Sequence, residues 1–314
     1  MAIDADVEYK SGFILRPDQY YSPSYRISPF QTSDIATNLS IVKQNKHAKF
    51  VWDRFKNKEW RFTQTGKHAI ALALSVLELT TESVVTVLTT SGNKYVSKCV
   101  TEEIDKVCSW SREFCEKTEA IFVIHEFGYP FRDLEKIRSY GLPIIEDACH
   151  AYFAETPNND LGLIGDFILF SLPKAYPVQL GGILAFNPKY KVPKSDDMDP
   201  GLVDYLSSIM GFYGAQLDEF RNMRVANYLS LVQRFDTIGC RPWFELLEND
   251  VPGTFLFSPP EGANLTGMRQ HGWDHGIECS IFYGEDAFFI PVHHRLKDSD
   301  LDYFLEVFKF FLNQ

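Results

Sequence analysis

Three short stretches of this 314-residue chain carry side chains that could do chemistry together. In "FSLPKAYPVQLGG" (170–182) an apolar run stops at Pro173, Lys174 follows, and a Gly-Gly pair comes at 181–182. In "LPIIEDACHA" (142–151) a second apolar run ends on Asp147. In "TGKHAIALAL" a Thr65-Gly66 turn opens a helical pattern. A turn alone would be better served by Gly, Asn or Asp than by lysine. Lys174, held between Pro173 and Pro177, is therefore either a solvated loop charge or a reactive amine.

An amine, a carboxylate and an anion site suit one cofactor. Pyridoxal 5′-phosphate needs a lysine to bond its aldehyde and a carboxylate to keep its ring nitrogen protonated. Its phosphate is best held by backbone N–H groups at a helix N-terminus together with hydroxyls. Lys174, Asp147, the Thr65-Gly66 helix start and the Ser171 hydroxyl supply all of these.

Such residues must be positioned by a sheet. Apolar, β-branched runs at 83–90, 119–128, 142–151, 165–172 and 181–188 read as strands. Helical patterns at 68–79 and 132–141 alternate with them, the second closed by Gly141. Alternation of this kind predicts an α/β fold, a mostly parallel sheet sandwiched by helices, with ligands at the carboxyl ends of its strands. His125, Asp147 and Lys174 all follow apolar runs and fall at such ends. The turn-rich residues 1–35 read as an N-terminal arm lying on another surface. Residues 36–195 form the large domain. Residues 196–314, with a linker, a long helix at 216–235 and a closing helix, form a smaller α+β domain.

Composition excludes other classes. A net charge of −11 without a basic patch argues against nucleic acid. No run of about 18 apolar residues is present to span a membrane. "MAIDADVEYKSG" lacks the features of a secretory signal, and six scattered cysteines without a C-x-x-C pair read as free thiols of a cytoplasmic protein. His271 and His275, followed by His293-His294, invite a metal site. Gly272 weakens the helix that spacing needs and no H-E-x-x-H glutamate is present, so no metal is expected. Cys149 beside His150 suggests a thiol nucleophile. Strand alternation, however, predicts that the two point to opposite faces.

The order of these pieces resembles the DegT/StrS-type sugar aminotransferases, which are fold-type-I pyridoxal-phosphate enzymes. "TGKHAIALAL" is similar to that family's S/T-G-T-x-A-L helix start. "VIHEFGYPFRDLEKIRSYGLPIIEDACHA" is similar to its H-x-(Y/F)-G, helix and "GLPVIEDAAQA" block. "FSLPKAYPVQLGGILAF" is similar to its serine, lysine and Gly-Gly stretch, and "GIECSIFYGEDAFFIPVHHRLKDSDLDYFLEVF" to its closing segment. The resemblance implies catalysis by Lys174 and Asp147, with Lys174 bonding the cofactor and Asp147 pairing with its ring nitrogen. It places His150, where the family usually has Gln, near the phenolic oxygen, and Tyr95 against the ring. Gly66, Lys67 and Ser171 would hold the phosphate. It also implies transfer of an amino group from glutamate to a nucleotide-linked keto-sugar, for surface polysaccharide or related sugar biosynthesis, in a homodimer.

The chain departs from the pattern in three places. Lys67 stands where a small hydroxyl residue is usual. Two residues separate Ser171 from Lys174, where many members have four. No segment between 190 and 224 clearly matches the family's Asn-x-Arg segment. Two alternatives follow: a relative with another outcome such as dehydration, or a degenerate member serving as a binding protein.

Overall fold

The computed structural model describes residues 24–44, 54–55, 57–156, 158, 161–193 and 198–313. Most of the expected N-terminal arm lies outside them, as do four residues of the linker.

A seven-stranded sheet is built from β1 (Glu59–Thr63), β2 (Val84–Thr89), β3 (Ser109–Ser111), β4 (Thr118–Ile124), β5 (Ile144–Asp147), β6 (Phe167–Ser171) and β7 (Gly182–Phe186). Its order is β1-β7-β6-β5-β4-β2-β3, and only β7 runs antiparallel to its neighbours. A mostly parallel sheet is covered on both faces, and its strands are correspondingly continuous apolar runs. Phe167 and Leu169 of β6 join the cluster under α2 (Gly66–Ser75) and α3 (Lys98–Ile104). Ile168 and Phe170 point the other way, into the cluster that also receives α1 (Asp34–Gln44) and α5 (Pro200–Tyr213). The short α4 (Leu134–Arg138) covers β4 and β5 on that side through Leu134 and Ile137.

The C-terminal part is a second layer pair. Long α6 (Leu217–Asp236), α7 (Leu265–Asp274) and α8 (Asp298–Leu312) pack on a four-stranded antiparallel sheet. That sheet has the order β10-β11-β9-β8, from β8 (Arg241–Pro242), β9 (Thr254–Ser258), β10 (Ser280–Phe282) and β11 (Ala287–Pro291). Residues just before α1 lie on this part: Tyr25 bridges Ile277 and exchanges backbone bonds with Gly276 and Glu278. The two separate sheets support the division at about residue 195 that we propose.

The Gly-Gly pair has a steric reason. Gly181 has φ of 108°, and its N–H reaches Gln64 O at 2.7 Å. A Cβ on Gly182 would stand 2.5 Å from Thr63 Oγ1 and 2.7 Å from the Thr65 carbonyl carbon. Only a bare backbone lets β7 pass beneath the turn that starts α2. Gly182→Ala should therefore cost about 1–3 kcal/mol in urea unfolding by overpacking. Gly211→Ala, on the exposed side of α5 with nothing within 4 Å of the added carbon, should stabilise by about 0.4–1 kcal/mol. Equal effects of the two substitutions would refute the steric account.

Candidate active site

A cavity of about 470 Å³ opens at the carboxyl ends of β4, β5 and β6. That volume is ordinary for a small-molecule site. Its lining includes Gly66, Lys67, Tyr95, Asp147, His150, Ser171 and Lys174, so the fold brings every expected site residue to one place.

Each is delivered by a distinct local device. Asp147 is the last residue of β5, and its Oδ1 accepts the Cys149 N–H at 2.9 Å, turning the chain out of the strand. Ser171 closes β6, and Lys174 ends the 3-10 turn of residues 172–174, with Pro173 inside it. Thr65 caps α2 by accepting the His68 N–H on its hydroxyl. The Gly66 and Lys67 amides are first-turn donors with no carbonyl available inside the helix. A Cβ on Gly66 would lie 3.1 Å from Cys149 Sγ and 3.3 Å from Ser171 Cβ. The helix start thus sits directly against the end of β6. These donors, beside a hydroxyl and under the positive end of α2, form a cradle suited to a phosphate.

The Lys67 side chain points away from the cradle toward α3. Its ammonium bonds Glu102 at 2.7 Å and Glu103 at 3.4 Å, and the Glu102 hydrogen bond raises its pKa. The side-chain charge is engaged on α3, and what Lys67 offers the cradle is its backbone. Tyr95 forms part of the cavity wall, packed edge-on against Phe282 at 5.6 Å and parallel to Tyr283 at 6.3 Å. Burial raises the pKa of its hydroxyl.

One expectation fails. β5 ends at Asp147, so strand alternation does not extend to Cys149 and His150, and both line the cavity. Burial nevertheless pushes the Cys149 thiol well above its usual pKa, which leaves it a poor nucleophile. Burial first, then the Lys174 and Arg224 charges, pull the His150 pKa well below its usual value. His150 is a neutral imidazole at physiological pH, and its buried Nδ1 has no hydrogen-bond partner among the described residues.

Other cavity residues were not singled out by sequence. Glu126 is buried, accepts the Ser91 N–H at 2.6 Å, and has its pKa raised by burial. Phe127 adopts a left-handed conformation (φ 52°, ψ 21°), and its carbonyl accepts the Gly253 N–H at 2.6 Å. For a non-glycine residue such strain marks a constrained position. Phe289 arrives from β11 and Ile27 from the segment before α1. His125, which the sequence does place at a strand end, also lines the cavity and is fully buried. Its Nδ1 accepts the Phe131 N–H, so its Nε2 carries the proton donated to Glu146.

His271, His275, His293 and His294 make structural contacts away from the cavity. His271 donates to Val307 O, and His275 to His271 O. Among the described residues no group of three or more His, Cys, Asp or Glu could hold a metal. His294 stacks on Phe220 at 3.9 Å, and His293 Nδ1 accepts the Arg295 N–H.

Residues 109–187 match the model of the DegT/DnrJ/EryC1/StrS aminotransferase family, which bears out the resemblance read from the sequence. No curated protein matches the chain. Among solved structures, the chain is similar to putative sugar aminotransferase Spr1654 from Streptococcus pneumoniae in its PLP form. Identity is 16% over 93% of this chain and 98% of that one, with a TM-score of 0.67. It is similar to NtdA from Bacillus subtilis with bound cofactor PMP, at 16% identity over 98% and 90% of the two chains, TM-score 0.66. It is also similar to aminotransferase TlmJ from Streptoalloteichus hindustanus, at 15% identity over 94% and 93%, TM-score 0.64. These likenesses are ones of fold, and that fold is the expected one.

The buried histidines predict acid lability. The folded pKa is pushed down to about 3 for His293 and about 2 for His294, mainly by burial, and well down for His150. In the unfolded chain each titrates near 6.5. Below that value the unfolded state binds protons that the folded state refuses, so stability falls as pH drops from about 6.5 toward the folded values. Each group contributes up to about 1.4 kcal/mol per pH unit. Urea unfolding between pH 7 and 5 should show proton uptake approaching three, reduced by about one in His294→Phe. A flat profile would contradict the neutral, buried assignment.

Proposed function

We propose that the cavity binds pyridoxal 5′-phosphate and that the chain is an aminotransferase acting on a nucleotide-linked keto-sugar. In this reading glutamate is the amino donor and the product enters surface polysaccharide or related sugar biosynthesis. The observation that carries it is the convergence of Lys174, Asp147 and the α2 N-terminus on one cavity. The residues present fit the cofactor: a hydroxyl and two first-turn amides for its phosphate, a carboxylate for its ring nitrogen, and an amine for its aldehyde. When bound, it supplies an aldehyde that captures amines and a protonated ring that withdraws electrons from the substrate carbon.

The chain's own groups have these roles in the reading. Lys174 holds the cofactor and carries the proton between substrate carbon and cofactor. Asp147, as a carboxylate, keeps the ring nitrogen protonated. Ser171 and the Gly66 and Lys67 amides hold the phosphate. Neutral His150 offers an uncharged partner to the phenolic oxygen, and Tyr95, Phe127 and Phe289 exclude water from the ring. Six unpaired thiols support a cytoplasmic setting, and among the described residues no helix is long and apolar enough to cross a membrane. A homodimer belongs to the reading as well. Exposed Ile35 and Leu39 on α1, with Met223 and Leu229 on α6, supply apolar surface for it.

Borohydride reduction of protein mixed with pyridoxal 5′-phosphate should fix the cofactor to the single tryptic peptide carrying Lys174. Lys174→Ala should bind it non-covalently and lose amino transfer from glutamate. Asp147→Asn should retain cofactor but turn over at least about a hundredfold more slowly. Ser171→Ala should weaken cofactor binding by about 1.5–3 kcal/mol. An adduct on another lysine, or full turnover in Lys174→Ala, would overturn the assignment.

A further inference from the structure

Arg224 is the largest fully buried side chain of the described residues, at 2% exposure, and no carboxylate among those residues pairs with it. Taking a guanidinium out of water costs several kcal/mol unless charge partners and hydrogen bonds return it. The sequence predicts only that Arg224 lies on the long helix of residues 216–235. In the fold Arg224 faces inward, while its neighbours Asn222 and Met223 are exposed. The guanidinium carbon lies 5.2 Å from the centre of the Phe153 ring, and Nη2 donates to the backbone carbonyl of Lys174 at 2.9 Å. Its Nε is buried and has no hydrogen-bond partner among the described residues. One turn on, Asn227 donates to the carbonyls of His293 and Leu296, clamping the same helix to the loop after β11. One turn back, Phe220 stacks on His294.

The Lys174 carbonyl needs such a partner. Ala175 and Tyr176 both donate to Leu172 O, at 2.9 and 2.8 Å, so the turn ties its N-terminal carbonyl twice. It turns back toward Val178 and Gly181 without continuing as a helix, which would have satisfied Lys174 O. A neutral donor would serve that carbonyl at lower cost, yet the position holds a buried cation. Hydrogen bonds from charged donors are stronger, and a planar fork fixes direction as well as distance.

We propose that Arg224 is the positioning residue for Lys174, a strut from the C-terminal helix that locks the 172–174 turn and aims the lysine amine into the cavity. It touches neither substrate nor cofactor, and it works at the expense of stability, since its charge is buried unpaired. For its cofactor arm alone the proposal rests on Lys174 being the lysine that bonds pyridoxal 5′-phosphate.

Arg224→Met and Arg224→Lys test it. Hydrogen exchange of the Ala175 and Tyr176 amides is read in cofactor-free protein. The rate of borohydride-trappable attachment is read with pyridoxal 5′-phosphate. Arg224→Met should fold with a thermal midpoint at or above wild type, because it removes an unpaired buried charge. The two amides should nevertheless exchange faster, and attachment at Lys174 should slow by roughly tenfold to a hundredfold, the worth of one hydrogen bond from a charged donor. Arg224→Lys, which keeps a charged donor, should recover part of both. In the Lys174→Ala background, Arg224→Met should leave non-covalent cofactor affinity within about twofold of Lys174→Ala alone, since the strut acts only through Lys174. Exchange or attachment equal to wild type overturns the proposal, as does an Arg224→Met chain that fails to fold. If wild type takes no cofactor at Lys174, the proposed function falls, and the exchange rates still decide whether Arg224 locks the turn.

Discussion

The carboxylate of Glu146, wholly buried one residue before Asp147, fixes the geometry on which the site depends. It accepts three hydrogen bonds: from His125 Nε2 at 3.1 Å, Gly162 N–H at 2.9 Å and Gly165 N–H at 2.6 Å. A carboxylate can be buried only with such company. Gly165 is part of the arrangement, because a Cβ there would stand 2.6 Å from Glu146 Oε1. Strand side chains alternate between faces, so pinning Glu146 to one face sends Asp147 to the other, where the cavity lies. A slip of one residue would exchange the two carboxylates. His125 extends the lock to the neighbouring strand: one ring nitrogen holds Glu146 and the other holds the loop at Phe131.

The second half of the site is fixed by register. Ser171 pairs with Gly182 across β6 and β7, and Gly182 in turn passes beneath Thr65, where α2 begins. The hydroxyl and the helix amides are therefore held by one chain of contacts rather than by separate loops. Pre-organisation of this kind means that a bound anion meets donors already in place and need not order them. The left-handed Phe127, tied through its carbonyl to Gly253, shows the same rigidity on the opposite wall.

What was legible in the sequence follows from how local the signals were. Parallel strands buried on both faces read as unbroken apolar runs, so β2, β4, β5, β6 and β7 were visible, and residues at their ends were visible with them. β1, "EWRFT", alternates polar and aromatic residues, and nothing local says that it pairs with a strand more than a hundred residues on. The 142–151 run was read as strand too far. The turn after Asp147, made by its own side chain, puts Cys149 and His150 on one cavity. Ile27 and Phe289 reach the site from opposite ends of the chain, which no spacing could reveal. Arg224 was the hardest to see, because a charge on a long helix ordinarily marks a solvated face.

Charge is distributed against the average of the molecule. The chain carries −11 overall, yet the groups at and beneath the cavity floor include Lys174, Arg224, neutral His150 and the positive end of α2, set against Asp147 and the buried Glu126. In a low-dielectric interior that local field is strong, whereas the surface charge is screened within about 10 Å at ordinary salt. A polyanion would meet the acidic exterior over most of its length and gain little from a recessed site. A compact phosphorylated molecule small enough to enter would feel the interior field almost alone.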